Sequence, residues 1–596
     1  MRPIRDLPLA ASILLAGLAL FFGGGPGDGS IPWLGGGVLL AILACLALQG
    51  LPRGWPAVVP LLALAGWCAV SIAWSWLPDR SWDYANRTLV YALFAALGLF
   101  VAGRTRELAS GLAAVLAAVI GWSLLGKVLP PVYDYGSPFV PARLQGPIGL
   151  WNQLALAADF ALVLALWRRG RSGTLLAYLA LVALFLTYSR GGLLTAVVVG
   201  GAWLLFGGAW LDSVATLIAA ALPAGAAVGI AFALPGVTGT AQASHVRWRD
   251  GLVFGAVLLA GAAVSLLLER VRRPRDTPAL RRGALAAAGV ALAAGIAVLV
   301  VHGIGSGTVS NNGGRVFSTS SNFRFTWWHQ AWNGFEHHVL LGTGAGSFNL
   351  VNALYRSTFL DETTEPHNLP LQFLQETGLV GFLLLVLALA ALLRPGWRRS
   401  GHELALGLLL PAFVVHSLVD VDWDFVAVAA PAFLAAGALA GRPATGRVSA
   451  FGFFPAVGVA VLAFVVLLLP WLGNRWADDA YFRSITTAQG VDALANRAHS
   501  VDPLLLEPYW AHAQAADLRR NHSLAFAWYV QAVKRQPHNW RTWNAAGEYA
   551  FGLGCYGRAY DYLEKFTELN QKAQPSLGGD DYNTALDKVN AGAYSC

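Results

Sequence analysis

The sequence has few charged residues. Only 12% of its 596 residues are charged, whereas 56% are hydrophobic, and an average soluble chain is about 25% charged. A soluble domain of this composition would expose more apolar surface than water tolerates. The low charge therefore excludes an ordinary cytosolic enzyme and a disordered chain, and it predicts a polytopic membrane protein.

Cysteine is also scarce, which excludes a disulfide scaffold. The four cysteines are Cys45, Cys68, Cys555 and Cys596, and they lack the spacing of zinc or iron–sulfur ligands. Cys45 and Cys68 lie in apolar stretches, where we expect them to be packing residues. Cys555 and Cys596 could pair only if the C-terminal segment lies outside the cytoplasm, and the sequence leaves that open.

The net charge of +8 arises from 41 basic and 33 acidic residues. In a soluble protein this balance would suggest a nucleic-acid partner, but in a membrane protein basic residues mainly report topology. We therefore predict no nucleic-acid partner and contact with membrane lipids instead.

Apolar runs long enough to cross about 30 Å of hydrocarbon occur throughout the first 472 residues. The first run is interpreted as a retained helix, because no clear small-residue cleavage site follows it. The pattern predicts an all-α membrane bundle of about 12–15 spans, with candidates at 7–23, 32–50, 57–77, 87–103, 107–129, 151–167, 174–188, 191–210, 214–234, 251–269, 283–302, 372–393, 403–419, 423–440 and 449–472.

Arginines in alternate short loops orient these spans. With the N-terminus in the cytoplasm, the cytoplasmic loops hold Arg53, Arg104, Arg106, Arg168, Arg169, Arg171, Arg270, Arg272, Arg273, Arg275, Arg281, Arg282, Arg394, Arg398, Arg399, Arg442 and Arg447, as the positive-inside rule requires. The long loop 303–371 and the segment 473–596 then lie outside. Other arginines fall on the outer side, and we interpret most of them as ordinary loop residues: Arg80, Arg87, Arg143, Arg190, Arg247, Arg249, Arg315, Arg324 and Arg356.

Residues 473–596 form a second predicted domain, because they are polar, rich in Trp and Tyr, and repetitive. Asp502-Pro503 recurs as Gln536-Pro537, 34 residues later. The same offset pairs Ala516 with Ala550, Ala525 with Ala559, Phe526 with Tyr560 and Tyr509 with Trp543. This pattern resembles tetratricopeptide repeats and predicts helices at 507–520, 523–536, 541–552 and 556–570, with a degenerate repeat at 475–503. A plain helical hairpin domain is the alternative.

The most informative motif closes the long outer loop. Pro366-His367-Asn368 precedes an apolar run, so His367 is expected at the membrane interface and Asn368 at a helix N-cap. Histidine is the side chain best suited to proton transfer near neutral pH. A lone histidine in this position would more often only hydrogen-bond the backbone.

The surrounding pattern resembles the O-antigen ligase and polymerase superfamily, whose members are membrane glycosyltransferases. His367-Asn368, nine residues and then Gly378-Leu379-Val380-Gly381 match its signature. Further elements occur in the order of that family between about residues 80 and 440. They are Arg143-Leu144-Gln145-Gly146-Pro147 with Asn152; Thr187-Tyr188-Ser189-Arg190-Gly191-Gly192; Asn322-Phe323-Arg324 with Trp328 and Ala331; the run from Leu341 to Phe348; and His416-Ser417-Leu418-Val419-Asp420 with Trp423.

The resemblance implies a role for each matching residue. Arg190 and Arg324 would contact the pyrophosphate of a lipid-linked glycan, with Arg143 as a further candidate, because guanidinium groups bind phosphate through a planar fork. His367 would deprotonate or position the acceptor hydroxyl, while Asn368 and Asp420 would orient nearby groups. Each of three residues also has an interpretation without a role in the reaction. Arg190 would anchor its helix at the lipid headgroups, Asn368 would only cap a helix, and Asp420 would be a solvated carboxylate.

The implied activity is inverting, metal-independent and cofactor-free transfer of a glycan from a polyprenyl pyrophosphate to an acceptor at the outer face of the bacterial cytoplasmic membrane. The acceptor could be a glycolipid such as lipid A core (a ligase), a second lipid-linked glycan (a polymerase) or a protein hydroxyl (an O-oligosaccharyltransferase). A transporter or flippase of lipid-linked sugars is the alternative from another class. The C-terminal domain is expected to dock a protein partner.

Overall fold

The protein is an all-α membrane bundle followed by a helical C-terminal domain, as seen in a computed structural model. The structure describes residues 2–24, 28–135, 142–208, 210–240, 243–270, 320–396, 399–443, 449–482, 487–573 and 579–593, with a few isolated residues between these ranges. Within these ranges there is no β-strand, only one isolated bridge between Arg53 and Arg442.

The bundle contains eighteen described helices. They are α1 (Arg2–Phe22), α2 (Ile31–Gln49), α3 (Val59–Ser71), α4 (Pro78–Leu99), α5 (Thr105–Val128), α6 (Trp151–Arg168), α7 (Gly170–Leu186), α8 (Arg190–Phe206), α9 (Trp210–Phe232), α10 (Pro235–Thr238), α11 (Ser244–Leu268), α12 (Arg324–His337), α13 (Phe348–Tyr355), α14 (Leu369–Leu393), α15 (Gly401–Gly407), α16 (Leu409–His416), α17 (Val426–Ala440) and α18 (Ala450–Tyr481).

Six described helices are long and apolar enough to span a membrane, and six shorter helices are apolar as well. The predicted spans at 174–188 and 191–210 correspond to the separate helices α7 and α8, whereas the span predicted at 403–419 is divided into α15 and α16. Most of the span predicted at 283–302 lies outside the described residues. Together these helices establish the multi-pass membrane architecture that the composition predicts.

Three helices form the centre of the bundle. Almost every residue of α17 is buried, as are most residues of α4 and α6. Gly437 of α17 lies directly against the carbonyl oxygen of Ala95 in α4, where a Cβ atom would clash, so the two helices approach closely, as small residues permit in membranes. By contrast, only 17% of the apolar stretch of α11 and 11% of that of α18 is buried in the protein. Both helices therefore lie at the periphery of the bundle, facing lipid.

A buried ion pair lies within this centre. Arg87 of α4 is 1% exposed and pairs with Asp424, which is 2% exposed. Interpreting Arg87 as an ordinary loop residue was therefore wrong, because α4 begins at Pro78, nine residues earlier than the predicted span. A helix that carries this charge is tolerated because the charge faces protein and a carboxylate rather than lipid.

Several arginines lie together at one end of the bundle. At one end, Arg53 pairs its backbone with Arg442, Arg104 contacts Asp6 at 2.5 Å, and Arg394 and Arg399 line a common cavity with Arg442. All five arginines were predicted to be cytoplasmic. The N-termini of α4, α6, α8 and α14 lie at the opposite end with the segment 417–425, and we call this the site end.

Helices α19 (Ala488–Val501), α20 (Glu507–Leu518), α21 (His522–Arg535), α22 (Trp540–Gly552), α23 (Tyr556–Leu569) and α24 (Gly579–Asn590) form the C-terminal domain. The helices α20 to α23 agree with the four predicted ones to within two residues at each end. Their assignment to tetratricopeptide repeats stays a prediction. Helix α18 runs continuously through the predicted boundary at 472. Cys555 is disulfide-bonded, Cys45 and Cys68 are free and buried, and Cys596 lies outside the described residues.

Breaking the buried ion pair tests this architecture. We expect Arg87→Ala to lower the free energy of unfolding by about 3–5 kcal/mol, because it leaves the Asp424 carboxylate buried and unpaired. Arg399→Ala is the control, because Arg399 pairs with Glu403 on the surface and such exposed pairs contribute about 0.5 kcal/mol or less. Unfolding of both variants in one detergent measures the difference, and equal losses would contradict the arrangement.

Candidate active site

The site is built around the N-terminus of α14. The side-chain oxygen of Asn368 accepts a hydrogen bond of 3.0 Å from the backbone N–H of Leu371, which caps the helix. The side-chain amide of Asn368 donates to the carbonyl oxygen of Leu418 at 2.9 Å. Asn368 is thus the predicted helix cap, and in addition it ties the start of α14 to the segment that precedes Asp420.

His367 is half-buried immediately before this cap. Its ring stacks on Trp327 with the ring centres 4.6 Å apart, and its Nδ1 lies 3.0 Å from the carbonyl oxygen of Glu365. Because a carbonyl oxygen can only accept, Nδ1 carries the proton and the neutral ring has its lone pair on Nε2. His367 therefore has the tautomer that a base acting through Nε2 requires.

The charge state of His367 depends on its surroundings. Burial lowers the pKa of His367 below its usual value, the carboxylate of Asp420 opposes this effect, and the positive charge of Arg324 adds to it. The net direction is downward, so the imidazole is neutral at pH 7. A neutral imidazole can accept a proton, whereas an imidazolium cannot.

Arg324 begins α12 and is held against the segment after α16. Its Nε donates to the carbonyl oxygen of Val419 at 2.6 Å, and one terminal nitrogen contacts Asp420 Oδ2 at 3.1 Å. The side chain is 18% exposed, whereas that of Asp420 is 1% exposed. A guanidinium group has five N–H donors. These two contacts therefore fix its orientation, while part of the group remains exposed.

Asp420 joins Arg324 to Arg143. Asn152 donates to Asp420 Oδ2 at 2.6 Å and accepts from Arg143 at 3.4 Å. Arg143 also donates to the carbonyl oxygen of Thr187 at 2.8 Å and stacks over the ring of Trp151 at 4.0 Å. The reading of Asp420 as a solvated carboxylate was wrong. Burial alone would raise the pKa of Asp420, but Arg324 and the neighbouring histidines hold it below the usual value.

Arg190 approaches the same segment from α8. Ser189 caps this helix by accepting from the backbone N–H of Gly192 at 3.1 Å. A Cβ atom on Gly191 would lie 3.2 Å from the side chain of Val419, the residue whose carbonyl oxygen binds Arg324. The positive charge of Arg324 also repels that of Arg190 electrostatically. The structure thus brings Arg324 and, through Asn152, Arg143 to Asp420. It also places the start of α8, which carries Arg190, against the neighbouring Val419.

Backbone strain is concentrated at these residues. Six non-glycine residues of the described chain have positive φ, and four of them lie within two positions of Arg190, Arg324 or His367. These four are Tyr188, Asn322, Phe323 and His367 itself, with φ values between 52° and 64°. Left-handed backbone is costly for such residues and persists where the surrounding contacts over-determine it, which is typical of functional sites.

Sequence reasoning missed a buried histidine–aspartate pair next to these arginines. His416 is fully buried and its Nδ1 lies 2.7 Å from Asp422 Oδ2. Gln153 and Ser417 donate to the same carboxylate at 3.2 and 3.1 Å. From the sequence, His416 was identified only as part of a motif. Its position at the end of a predicted span, six residues before Asp422, could have indicated the pair. The pair holds the segment that carries Val419 and Asp420.

In the described part of the chain, no group of three or more His, Cys, Asp or Glu side chains is placed to hold a metal ion.

Comparison with protein families identifies one relationship. Residues 251–386 match the family model described as O-Antigen ligase, a range that includes Arg324 and His367. A search of curated proteins finds no match to the chain. The family match supports the O-antigen ligase superfamily, and with the multi-pass helices it supports a membrane glycosyltransferase of the ligase or polymerase type.

The glycine pair that starts α8 provides a test of the site's packing. A Cβ atom on Gly192 would lie 2.5 Å from the Cβ of Ala155 in α6, so we expect Gly192→Ala to destabilise the protein by about 1–3 kcal/mol through overpacking. Gly201→Ala in the same helix meets no atom within 4 Å and should leave stability unchanged or raise it slightly. Thermal unfolding of both variants measures this, and equal melting temperatures would contradict close packing of α8 on α6.

Proposed function

We propose that this chain transfers a glycan from a polyprenyl-pyrophosphate carrier to an acceptor hydroxyl, as an O-antigen or cell-surface polysaccharide ligase or polymerase. The observation that carries the proposal is that Arg324 binds Asp420 directly, Arg143 reaches it through Asn152, and Arg190 begins the helix that packs against the adjacent Val419. Beside them lies a histidine whose Nε2 lone pair is set by its backbone contact. Such a pairing of cationic groups with a base suits displacement of a phosphorylated leaving group.

The arginines would bind the pyrophosphate. Arg324 and Arg190 are the principal contacts and Arg143 supports them, because Asp420 fixes the guanidinium group of Arg324 and the start of α8 places Arg190 next to Val419. Negative charge grows on the pyrophosphate as its bond to the sugar breaks. Donors fixed in advance stabilise this charge without reorganising during the reaction.

His367 would act as the general base. The acceptor O–H gives its proton to Nε2, and the oxygen attacks the anomeric carbon from the face opposite the pyrophosphate. The bond from that carbon to the pyrophosphate oxygen breaks, and the departing pyrophosphate takes the electron pair. One displacement of this kind inverts the anomeric configuration, and it needs neither a metal nor a cofactor as written.

Asn368 and Asp420 would act as positioning residues. Asn368 caps α14 and bonds the carbonyl oxygen of Leu418, which fixes His367 relative to the arginine-binding segment. Asp420 holds Arg324 and, through Asn152, Arg143. Removal of either residue should disturb the geometry rather than delete a reacting group.

The proposed location is the bacterial cytoplasmic membrane, with the site end and the C-terminal domain outside. Two observations support this orientation. Five of the arginines predicted to be cytoplasmic lie together at the opposite end of the bundle, and a disulfide at Cys555 is typical of an oxidising compartment.

A transfer assay with the purified full-length protein tests the function. The donor is a polyprenyl-pyrophosphate-linked glycan, offered alone, with a glycolipid acceptor or with a serine-containing peptide. Product on the glycolipid identifies a ligase, longer lipid-linked chains identify a polymerase, and glycopeptide identifies a protein O-oligosaccharyltransferase. Movement of the donor across liposomes without any transfer would overturn the proposal in favour of a flippase.

Alanine substitution tests the three principal residues. Arg190→Ala and Arg324→Ala should each lower the transfer rate by about 10²–10³, because each removes a fixed donor to the developing charge. His367→Ala should lower it by about 10²–10⁴ through loss of the base. Arg399→Ala, at the opposite end, is the control. Retained melting temperature shows that folding is intact, and full transfer by any of the three variants would contradict that residue's role.

The pH dependence provides a separate test of His367. Because the pKa of His367 is lowered from its usual value of 6.5, the base is deprotonated at neutral pH and is lost as pH falls through the lowered value. The acid limb of the transfer rate should therefore have its midpoint below pH 6.5. A midpoint above that value, or the same limb in the residual activity of His367→Ala, would show that another group titrates.

A further inference from the structure

Two cavities lie where the C-terminal domain meets the site end. The first, of about 460 Å³, lies between the start of α4, the segment before His367 and the helices α20 and α22, and is partly open. The second, of about 380 Å³, opens on the C-terminal domain beyond it. Trp510 and Arg541 line both cavities, so the two adjoin each other at these side chains, and we call the pair the interdomain cleft.

Direct contacts hold the two walls of the cleft together. Gln536 donates to Asp79 of α4 at 3.0 Å, and His538 stacks on Trp76 with ring centres 4.5 Å apart and planes inclined by 12°. Arg356 donates to Asn570 at 2.5 Å. The cleft is therefore preformed by docked surfaces, which lowers the entropy cost of binding a ligand there.

The inner cavity is lined by hydrogen-bonding groups. Carboxyl groups of Asp79, Asp83, Glu365, Asp502 and Glu507 face amide side chains of Asn349, Asn474 and Asn539. Carboxylates accept hydrogen bonds, whereas side-chain amides both donate and accept them, so this wall can pair with the hydroxyl groups of a ligand.

The outer cavity is lined by aromatic rings. Tyr529 and Tyr549 lie with ring centres 5.0 Å apart, and Tyr481 lies 6.0 Å from Trp510. Such rings present a flat apolar face with a polar edge. Sugar rings have the matching character, with C–H groups on a face and hydroxyl groups around the edge.

The charge of the inner cavity is opposite to that of the arginine site. Five carboxyl groups line it against the two cations Arg80 and Arg541, whereas Arg324 and, through Asn152, Arg143 surround Asp420. Burial raises the pKa of Asp502 to about 6 and that of Glu507 to about 7, so part of this charge is neutralised by protons and the groups both donate and accept. Such a surface repels pyrophosphate and suits uncharged hydroxyl groups.

The cleft adjoins the proposed base. Thr364 and Glu365 form part of its inner wall, and the carbonyl oxygen of Glu365 accepts the hydrogen bond from His367 Nδ1 at 3.0 Å. The cleft therefore borders the backbone segment that fixes the ring of His367.

We propose that the interdomain cleft binds the uncharged, polyhydroxylated glycan of the acceptor and thereby holds the acceptor next to the segment that carries His367. This inference rests on the proposed function and adds to it a substrate class, because it favours a sugar acceptor over a protein hydroxyl. It also gives the C-terminal domain a direct part in substrate recognition.

The test measures binding, not turnover, so that it is independent of transfer. The probe is the neutral oligosaccharide that mild acid releases from the lipid carriers of cells expressing this chain, titrated calorimetrically into the full-length protein in nanodiscs. Trp510→Leu and Tyr529→Leu should each weaken binding by about tenfold, since each removes an aromatic face from the cleft. Tyr562→Leu, which alters a tyrosine of the same domain outside both cavities, should leave binding unchanged.

Three results would overturn the inference. They are equal binding by wild type and both cleft variants, equal displacement of the neutral saccharide by its 1-phosphate, and displacement by a serine-containing peptide. His367→Ala separates the two proposals, because it should still bind the saccharide even though its transfer is slowed. Saccharide binding without transfer by wild type would contradict the function alone, and transfer with unchanged acceptor KM in the cleft variants would contradict the cleft alone.

Discussion

The buried carboxylate of Asp420 is the constraint on which the rest of the site depends. A buried charge is tolerated only when it is paired and hydrogen-bonded, and Asp420 meets this requirement with Arg324 and Asn152. Through Asn152 the same carboxylate reaches Arg143. Because these partners come from separate segments of the chain, satisfying one carboxylate brings together the start of α6, the start of α12 and the segment after α16.

The membrane bundle explains why these groups lie at a helix end. Within hydrocarbon, helices satisfy their backbone groups internally and leave little room for loops, so polar side chains accumulate where helices begin. Asn368 and Ser189 cap α14 and α8 in this way. Each cap lies directly next to a proposed site residue, His367 beside Asn368 and Arg190 beside Ser189. The central helices α4, α6 and α17 supply rigid support, and the buried pair of Arg87 and Asp424 fixes the segment just beyond Asp422.

Much of this arrangement could be predicted, and the failures are instructive. Apolar run length located α7, α8 and the long peripheral helices, because lipid-facing helices must be apolar along their length. The same reasoning misplaced the start of α4, since its charged first half faces protein rather than lipid. For Asp420 the sequence left a solvated carboxylate open beside the predicted orienting role, because its sequence neighbours are loop residues and its partners Arg324 and Asn152 are 96 and 268 residues away. Hydropathy carries no information about such distant contacts.

The sequence by itself determined the helical membrane architecture, the identities of His367, Arg190 and Arg324 as candidates, and the positions of the C-terminal helices, because each follows from local pattern. Only the tertiary structure decided which groups meet. It placed His416 against Asp422, gave His367 its Nδ1–H tautomer through the carbonyl oxygen of Glu365, and closed the cleft between Asp79 and Gln536. These contacts join residues whose proximity depends on how the helices pack, and packing is decided by the whole chain at once.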